Sequence, residues 1–199
     1  MISISEISKD EPYKKFVKFY KKALKNNQNL IEAILIASYD SNKNEVDARF
    51  VNLKYIINDE WFFFTNYNSV KANQFKSHNQ IAAVFHWDSI GVQVRLKSKI
   101  MKASEKFSNT HFEKRSKYKN ALAISSNQSS ITSSYDKVIE DYKNVLTNEE
   151  ALSKRPEYWG GYSFKPYYFE FWEGDDYRIN RREAFELKNN KWFSKFLQP

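Results

Sequence analysis

Residues 169–185, FEFWEGDDYRINRREAF, hold the pattern that decides the fold. Aromatic and apolar residues run up to Trp172, the polar group Glu173-Gly174-Asp175-Asp176 interrupts them, and a second stretch follows. This reads as two strands joined by a turn. Strand side chains alternate between faces, so the spacing predicts Arg178, Asn180 and Arg182 on one face and Arg181 on the other. Two guanidiniums on one face repel unless something anionic or electron-rich lies between them. Trp172, just before the turn, supplies a flat wall beside that place. A solvated hairpin with surface arginines has the same local sequence, so the remaining residues must decide.

Outward from this segment, strands dominate. Short apolar or alternating runs predict strands at 32–40, 46–57, 60–66, 80–88 and 91–104, with a turn at 58–60 joining the second and third. Residues 156–174 and 175–187 close the chain as strands, with 191–198 at the end. Helical spacing of Phe16, Val17, Tyr20 and Leu24 predicts a helix over 11–26, with Pro12 in its first turn. Further helices are expected at 69–79 with Ser69 as N-cap, at 105–125 with breaks, and at 133–148 as an amphipathic segment. Helices fall between groups of strands rather than alternating with them. The expected class is therefore mainly β with helical additions, an antiparallel barrel rather than a doubly wound sheet. No repeat or linker divides the chain, and residues 1–199 are expected to form one domain.

Composition narrows the functions. With 199 residues, 41% of them hydrophobic and 17% aromatic, the chain can bury roughly 70% of its unfolded surface and needs no staple to fold. The absence of Cys excludes thiol catalysis and Cys-based zinc sites. His78, His86 and His111 are scattered without metal-site spacing, so no metal is expected. No P-loop, GxSxG or GxGxxG is present, and four glycines leave little material for a dinucleotide loop. The net charge of +8 is spread along the chain, which favours anionic small molecules over nucleic acid. No apolar run approaches ~20 residues and the N-terminus lacks an apolar signal region, so a soluble cytoplasmic protein without membrane contact is expected.

Several polar residues stand out within apolar surroundings. A strand delivers Phe64 and Thr65 to a short turn, and Lys71 then stands at a helix start, where free N–H groups and the dipole suit phosphate. Arg49 and Lys54 interrupt a strand of Phe50, Val51 and Leu53, and phosphate is the best planar partner for such an arginine. Gln93 is polar in an apolar alternation and can read an amide or imide edge. Residues 125–130, SSNQSS, form a polar loop with phosphate donors. Each of these has an ordinary structural explanation as a cap, a solvent face or a connector.

Taken in order, ARFVNLK (48–54), FFTNYNSVKANQ (63–74), FHWDSIGVQV (85–94), HFEKR (111–115), SNQSS (126–130), YWGGY (158–162) and FEFWEGDDYRINRR (169–182) resemble the pyridoxamine 5′-phosphate oxidase family. The resemblance covers the chain from about residue 30 to Pro199. It implies a split β-barrel homodimer binding FMN at the subunit interface, and oxidation of pyridoxamine or pyridoxine 5′-phosphate to pyridoxal 5′-phosphate with O2. By this similarity Arg49 and Lys71 hold the FMN phosphate beside Phe64 and Thr65, and Gln93 meets the isoalloxazine edge. Gln128 and Ser129 reach across from the second subunit, while Trp172 and Arg182 line the flavin. Lys54, His111, Arg115, Lys119 and Arg178 match substrate-contacting positions, and Arg178 and Asn180 stand where the family places its catalytic pair.

Departures from the family pattern bear on the substrate. Val70 replaces one of two basic residues at the helix start, His111 stands for a usual Tyr, and Lys119 aligns near a usual Ser. The family's Arg-x-His reads Arg178-Ile179-Asn180, and the N-terminal segment that covers substrate in long members is short. Alternatives are a same-fold FMN oxidoreductase with another substrate, such as a late oxidase of phenazine biosynthesis, and a non-catalytic flavin-binding or nucleic-acid-binding barrel.

Overall fold

In the computed structural model, which describes residues 1–199, period-two alternation sets the framework. Every second residue of β2 (Ala33–Asp40) is buried, and β6 (Gln80–Trp87) and β7 (Val92–Lys102) repeat the pattern. These strands combine with β1 (Ser3–Ser5), β3 (Glu45–Asn52), β4 (Tyr55–Ile57), β5 (Glu60–Asn66) and β8 (Trp159–Glu173). The order is β1-β4-β5-β8-β7-β6-β2-β3, and β9 (Arg181–Lys188) and β10 (Lys191–Leu197) branch from β8. All pairs are antiparallel except β1 with β4. β1 and β3 end the path unpaired with each other, so the sheet stays open as a split β-barrel.

β8 is the hub. It pairs with β5, β7 and β9, and its register against β7 shifts between Lys97 and Ser98. Pro166 sits opposite Ser98 at that irregularity, where its missing N–H is tolerated. At the start of β8, a Cβ on Gly160 would lie 2.2 Å from Tyr67 Oη. The glycine thus permits a close approach that no side chain could share, and β5 and β8 pack tightly where Phe64 and Thr65 pair with Gly161 and Gly160.

The barrel core is filled from one side by α1 (Glu11–Lys25), which buries Tyr13, Phe16, Phe19, Tyr20 and Ala23 at helical spacing. Phe16 is fully buried and packs against Trp61, Phe85 and Trp87 at ring distances of 4.5, 5.6 and 5.5 Å. Burying one such ring contributes about 1.5–3 kcal/mol. The other helices are α2 (Val70–Ser77), α3 (Glu105–Glu113), α4 (Lys117–Ser125), α5 (Tyr135–Leu146) and α6 (Glu149–Ser153). No helix is long and apolar enough to cross a membrane.

Three sequence expectations need correction. The run 46–57 is two strands, because the chain leaves the ladder at Leu53 and Lys54. The N-terminal strand β1 was not expected; its three residues are too short to carry a period. The strand expected from residue 175 begins only at Arg181. Asp175 holds the preceding loop by accepting from the backbone N–H groups of Tyr177 and Ile179 at 2.9 and 3.3 Å. The Asn180 side-chain oxygen accepts from Asp175 N at 3.2 Å, and Arg178 adopts a left-handed φ of 62°. Strand alternation therefore does not place Arg178 and Asn180 on a common face with Arg182.

Candidate active site

The interrupted strand and the helix that follows β5 build one cationic cavity. β3 contributes Arg49, the break before β4 contributes Lys54, and β5 contributes Phe64 and Thr65. Val70 and Lys71 enter from the first turn of α2, His111 from α3, Arg115 from the α3–α4 link and Lys119 from α4. Gln128, Ser129 and Trp159 complete a cavity of about 700 Å³, within the range of small-molecule sites. Ten sequence-predicted residues thus meet: Arg49, Lys54, Phe64, Thr65, Lys71, His111, Arg115, Lys119, Gln128 and Ser129.

The cations cluster at two ends. At the first, Lys71 is only 7% exposed, has no carboxylate partner, and reaches Thr65 Oγ1 at 3.4 Å. Burial drives its pKa down, the nearby Arg49 charge adds to this, and Asp47 opposes it. An ammonium so placed is costly unless an anion joins it. Arg49 is held in place: Nη1 donates to Ser38 Oγ at 2.6 Å, and Nη2 donates to Gln74 Oε1 at 2.8 Å and pairs with Asp47. Gln128 Oε1 accepts from Thr65 Oγ1 and Asn66 N at 3.0 and 3.2 Å, which ties the SNQSS loop to the end of β5. Ser69 is the N-cap residue, yet its hydroxyl donates to Asn66 O rather than capping, so the first turn of α2 keeps its N–H groups free of that side chain.

At the second end, Arg115 Nη1 is buried without any acceptor, while Nη2 donates to Lys119 O at 2.9 Å. Its guanidinium lies 4.2 Å over the Trp159 ring, and burial pushes its pKa down to about 10. Burial also lowers the Lys54 pKa; Glu32, 3.8 Å away, opposes this, and Lys119 and Arg115 lower it further. His111 stacks flat on Phe64, with ring centroids 3.6 Å apart. Arg49 and Lys54 are five positions apart on a nearly extended segment, which spans on the order of 16 Å. The cavity thus presents positive charge at two separated ends.

Gln93, Trp172 and Arg182 do not line this cavity. They form a row of directly paired residues across β7, β8 and β9, on the face opposite the buried Val92 and Val94. Arg182 donates through Nε and Nη2 to Glu170 Oε1 at 3.0 and 2.8 Å, and through Nη1 to Gln198 O at 2.8 Å. Glu170 Oε2 accepts from Arg95 at 2.9 Å and from the Tyr168 hydroxyl at 3.0 Å. Within one chain, the anion between guanidiniums is therefore the buried Glu170 carboxylate, and the arginines it joins are Arg95 and Arg182. The signal was present: Glu170 lies two residues before Trp172, on the same strand face, and is charged in an aromatic run.

Gln128 and Ser129, which the resemblance assigns to a second subunit, line the cavity of the same chain as Arg49 and Lys71 here. The SNQSS segment follows α4 directly, and the Gln128 hydrogen bonds fix it locally. Arg178 and Asn180 lie outside the cavity on the loop before β9.

Residues 159–199 match the family model described as the pyridoxine 5′-phosphate oxidase C-terminal dimerisation region. The chain is 31% identical over 191 residues to pyridoxine/pyridoxamine 5′-phosphate oxidase 2 of Hydrogenovibrio crunogenus, covering 96% of this chain and 89% of that protein. It is 32% identical over 197 residues to the pyridoxine/pyridoxamine 5′-phosphate oxidase of Legionella pneumophila, covering 98% and 90%. In fold it is similar to PhzG from Burkholderia lata, solved with tetrahydrophenazine-1-carboxylic acid, at a TM-score of 0.87 and 22% identity over 95% of this chain and 93% of that one. It is also similar to a pyridoxamine 5′-phosphate oxidase-related FMN-binding protein from Nostoc punctiforme, at a TM-score of 0.76 and 11% identity, covering 96% and 99%. With this identity maintained over nearly its whole length, the chain belongs to the pyridoxine/pyridoxamine 5′-phosphate oxidase family.

Proposed function

We propose that this protein is an FMN-dependent oxidase that converts pyridoxamine or pyridoxine 5′-phosphate to pyridoxal 5′-phosphate with O2. The observation that carries the reading is one cavity with two separated cationic ends, each with a cation short of partners: the buried Lys71 at one, and at the other the half-buried Arg115, whose Nη1 is buried without an acceptor. Two phosphate groups, one from the cofactor and one from the substrate, answer that arrangement. Lys71, Arg49 and Thr65 would hold the FMN phosphate, assisted by Gln128 and Ser129. Lys54, Arg115, Lys119 and His111 would hold the substrate phosphate, and Phe64 with Trp159 would exclude water between the two ends. When bound, FMN supplies hydride acceptance from the substrate carbon that bears the amine or alcohol. The protein's own contribution is orientation and charge.

The row Gln93, Trp172 and Arg182, with Arg178 and Asn180 on the adjoining loop, is proposed to complete the site from a second copy of the chain. The match of residues 159–199 to a dimerisation region supports this, as do large exposed apolar residues. Phe50 at the cavity mouth is 68% exposed, and Phe193 and Phe196 in the matched region are 55% and 69% exposed. The FMN-loaded protein should sediment as a homodimer; a monomer carrying a full complement of flavin would contradict the shared site.

Anaerobic mixing of the FMN-loaded protein with pyridoxamine 5′-phosphate tests the activity. Bleaching of the flavin absorbance is expected, followed by its return on admitting O2. Asn180 can accept and donate hydrogen bonds but cannot exchange a proton near neutral pH as His can. The expected bleaching is therefore slow, and Asn180→His should speed it. If neither pyridoxamine nor pyridoxine 5′-phosphate bleaches the flavin, the second reading replaces the first: an FMN oxidoreductase of the same fold acting on another anionic substrate. The departures at His111, Lys119 and Asn180 favour that second reading.

A further inference from the structure

Directly after the break that divides the run 46–57 into β3 and β4 stands a residue that no motif singled out. Tyr55 opens β4 and pairs with Phe62 of β5, so its ring shares a sheet face with Phe62 and Phe64. α3 lies across this face and presents Phe107 and His111, one helical turn apart. The Phe107 ring packs on Phe62 at 4.6 Å and on Tyr55 at 5.4 Å. His111 lies nearly parallel to Phe64, at 11° and 3.6 Å, and its Nδ1 is 2.8 Å from Tyr55 Oη. The stack fixes the plane of the imidazole, and the hydrogen bond fixes which edge faces inward.

We propose that Tyr55 is a positioning residue that locks His111 in the Nε2–H tautomer, so that a neutral imidazole donates to the ligand phosphate at the Lys54–Arg115–Lys119 end of the cavity. This rests on the reading of that end as the substrate-phosphate site. Burial raises the Tyr55 pKa, so the phenol keeps its proton. Burial, followed by the charges of Arg115, Lys54, Lys119 and Lys114, pushes the His111 pKa down to about 4, so the imidazole is neutral near pH 7. Glu32 pairs with Lys54 and the N-terminal ammonium, and no carboxylate forms a hydrogen bond or ion pair with His111. A protonated phenol beside a neutral imidazole donates O–H to Nδ1, which leaves the ring proton on Nε2. His111 lines the cavity whereas Tyr55 does not, so the edge opposite Nδ1 is the one turned toward a ligand. Three long cations attract an anion from any direction. A fixed neutral donor adds direction without adding charge.

The chain has three histidines, so 15N-histidine labelling gives a readable spectrum. His111→Phe assigns its signal, and the FMN-loaded wild type should show an acceptor-type Nδ1 and a protonated Nε2 between pH 6 and 8. Tyr55→Phe keeps the ring in the aromatic stack and removes only the hydroxyl. It should give mixed tautomers and bind pyridoxal 5′-phosphate about two- to tenfold more weakly, the loss of one neutral hydrogen bond. Binding of unphosphorylated pyridoxal should be unchanged. Tyr55→Phe and His111→Phe should not be additive, since they break one unit. Arg115→Ala separates the two levels of inference. If it leaves pyridoxal 5′-phosphate affinity intact, the site reading itself fails. If Arg115→Ala weakens binding while Tyr55→Phe changes neither tautomer nor affinity, the proposed role of Tyr55 is overturned.

Discussion

Lys71→Met should make the ligand-free protein more stable and its hold on FMN weaker. The ammonium is buried, has no carboxylate partner, and touches one hydroxyl at 3.4 Å. Methionine fills similar volume without a charge to desolvate, so a gain of about 1–3 kcal/mol in unfolding free energy is expected. Loss of a charge-assisted contact to phosphate costs about 1.5–3 kcal/mol, or roughly ten- to a hundredfold in FMN affinity. Urea denaturation of the apoprotein and FMN titration read the two effects separately. The pH dependence has a definite sign. The folded pKa of Lys71 is lowered, so the unfolded chain binds more protons, and wild-type stability rises as pH increases from the folded pKa towards the ordinary lysine value. Lys71→Met should lack that rise. An unchanged dissociation constant for FMN would remove Lys71 from the phosphate site.

A second large effect is expected at Glu170, which is 2% exposed and joins Arg95, Arg182 and Tyr168. Glu170→Gln keeps the shape but removes the charge, and one end of the amide becomes a donor facing donors. Destabilisation of about 1.5–3 kcal/mol is expected, since the arginines stay partly solvated and part of the buried-pair cost is relieved by water. Burial alone would raise the Glu170 pKa; hydrogen bonds from Arg182 and Tyr168 and the charges of Arg95 and Arg182 outweigh it and hold the pKa below the ordinary carboxylate value. The stabilisation is thus fully present above about pH 4.3 and is lost as pH falls through the lower folded value. The gap between wild type and variant, followed by urea denaturation at several pH values, should narrow in acid. A constant gap would mean that charge is not what Glu170 contributes. Loss of Glu170 also frees Arg182, so the row with Gln93 and Trp172 should lose its order along with its stability.

The cavity residues were legible because each is a polar side chain in an apolar strand or at a helix start, where local chemistry already restricts its partners. Arg49, Lys54, Thr65 and Lys71 are of this kind, and all four line one cavity. Arg115 and Lys119 were visible only through the family resemblance, because the α3–α4 turn that brings them inward has no sequence period. The errors have a common physical origin. Alternation along 175–187 was read as strand, whereas Asp175 supplies hydrogen bonds that a strand ladder would have to supply, and the backbone turns through Arg178 instead. Glu170 was overlooked because a charge in an aromatic strand looks like a solvent face until its cross-strand partners are known. The sequence of a loop does not say which chain it folds onto, so Gln128 and Ser129 could be placed against Thr65 and Asn66 only by the hydrogen bonds of the structure.

The hub position of β8 has a consequence for biosynthesis. β5 and β7 are complete before the α3–α6 segment is made, yet each lacks its partner on one side until β8 is added. Trp159 follows Asn66 by about 90 residues, so at about 5–20 residues per second β5 waits several seconds on the ribosome. During that interval the edges bearing Trp61, Phe62 and Phe63, and then Val92, Val94 and Leu96, are open templates for strand addition by another nascent chain. A chain interrupted before residue 159 would keep both edges. Its expected fate is aggregation or capture by a chaperone, not a smaller folded core.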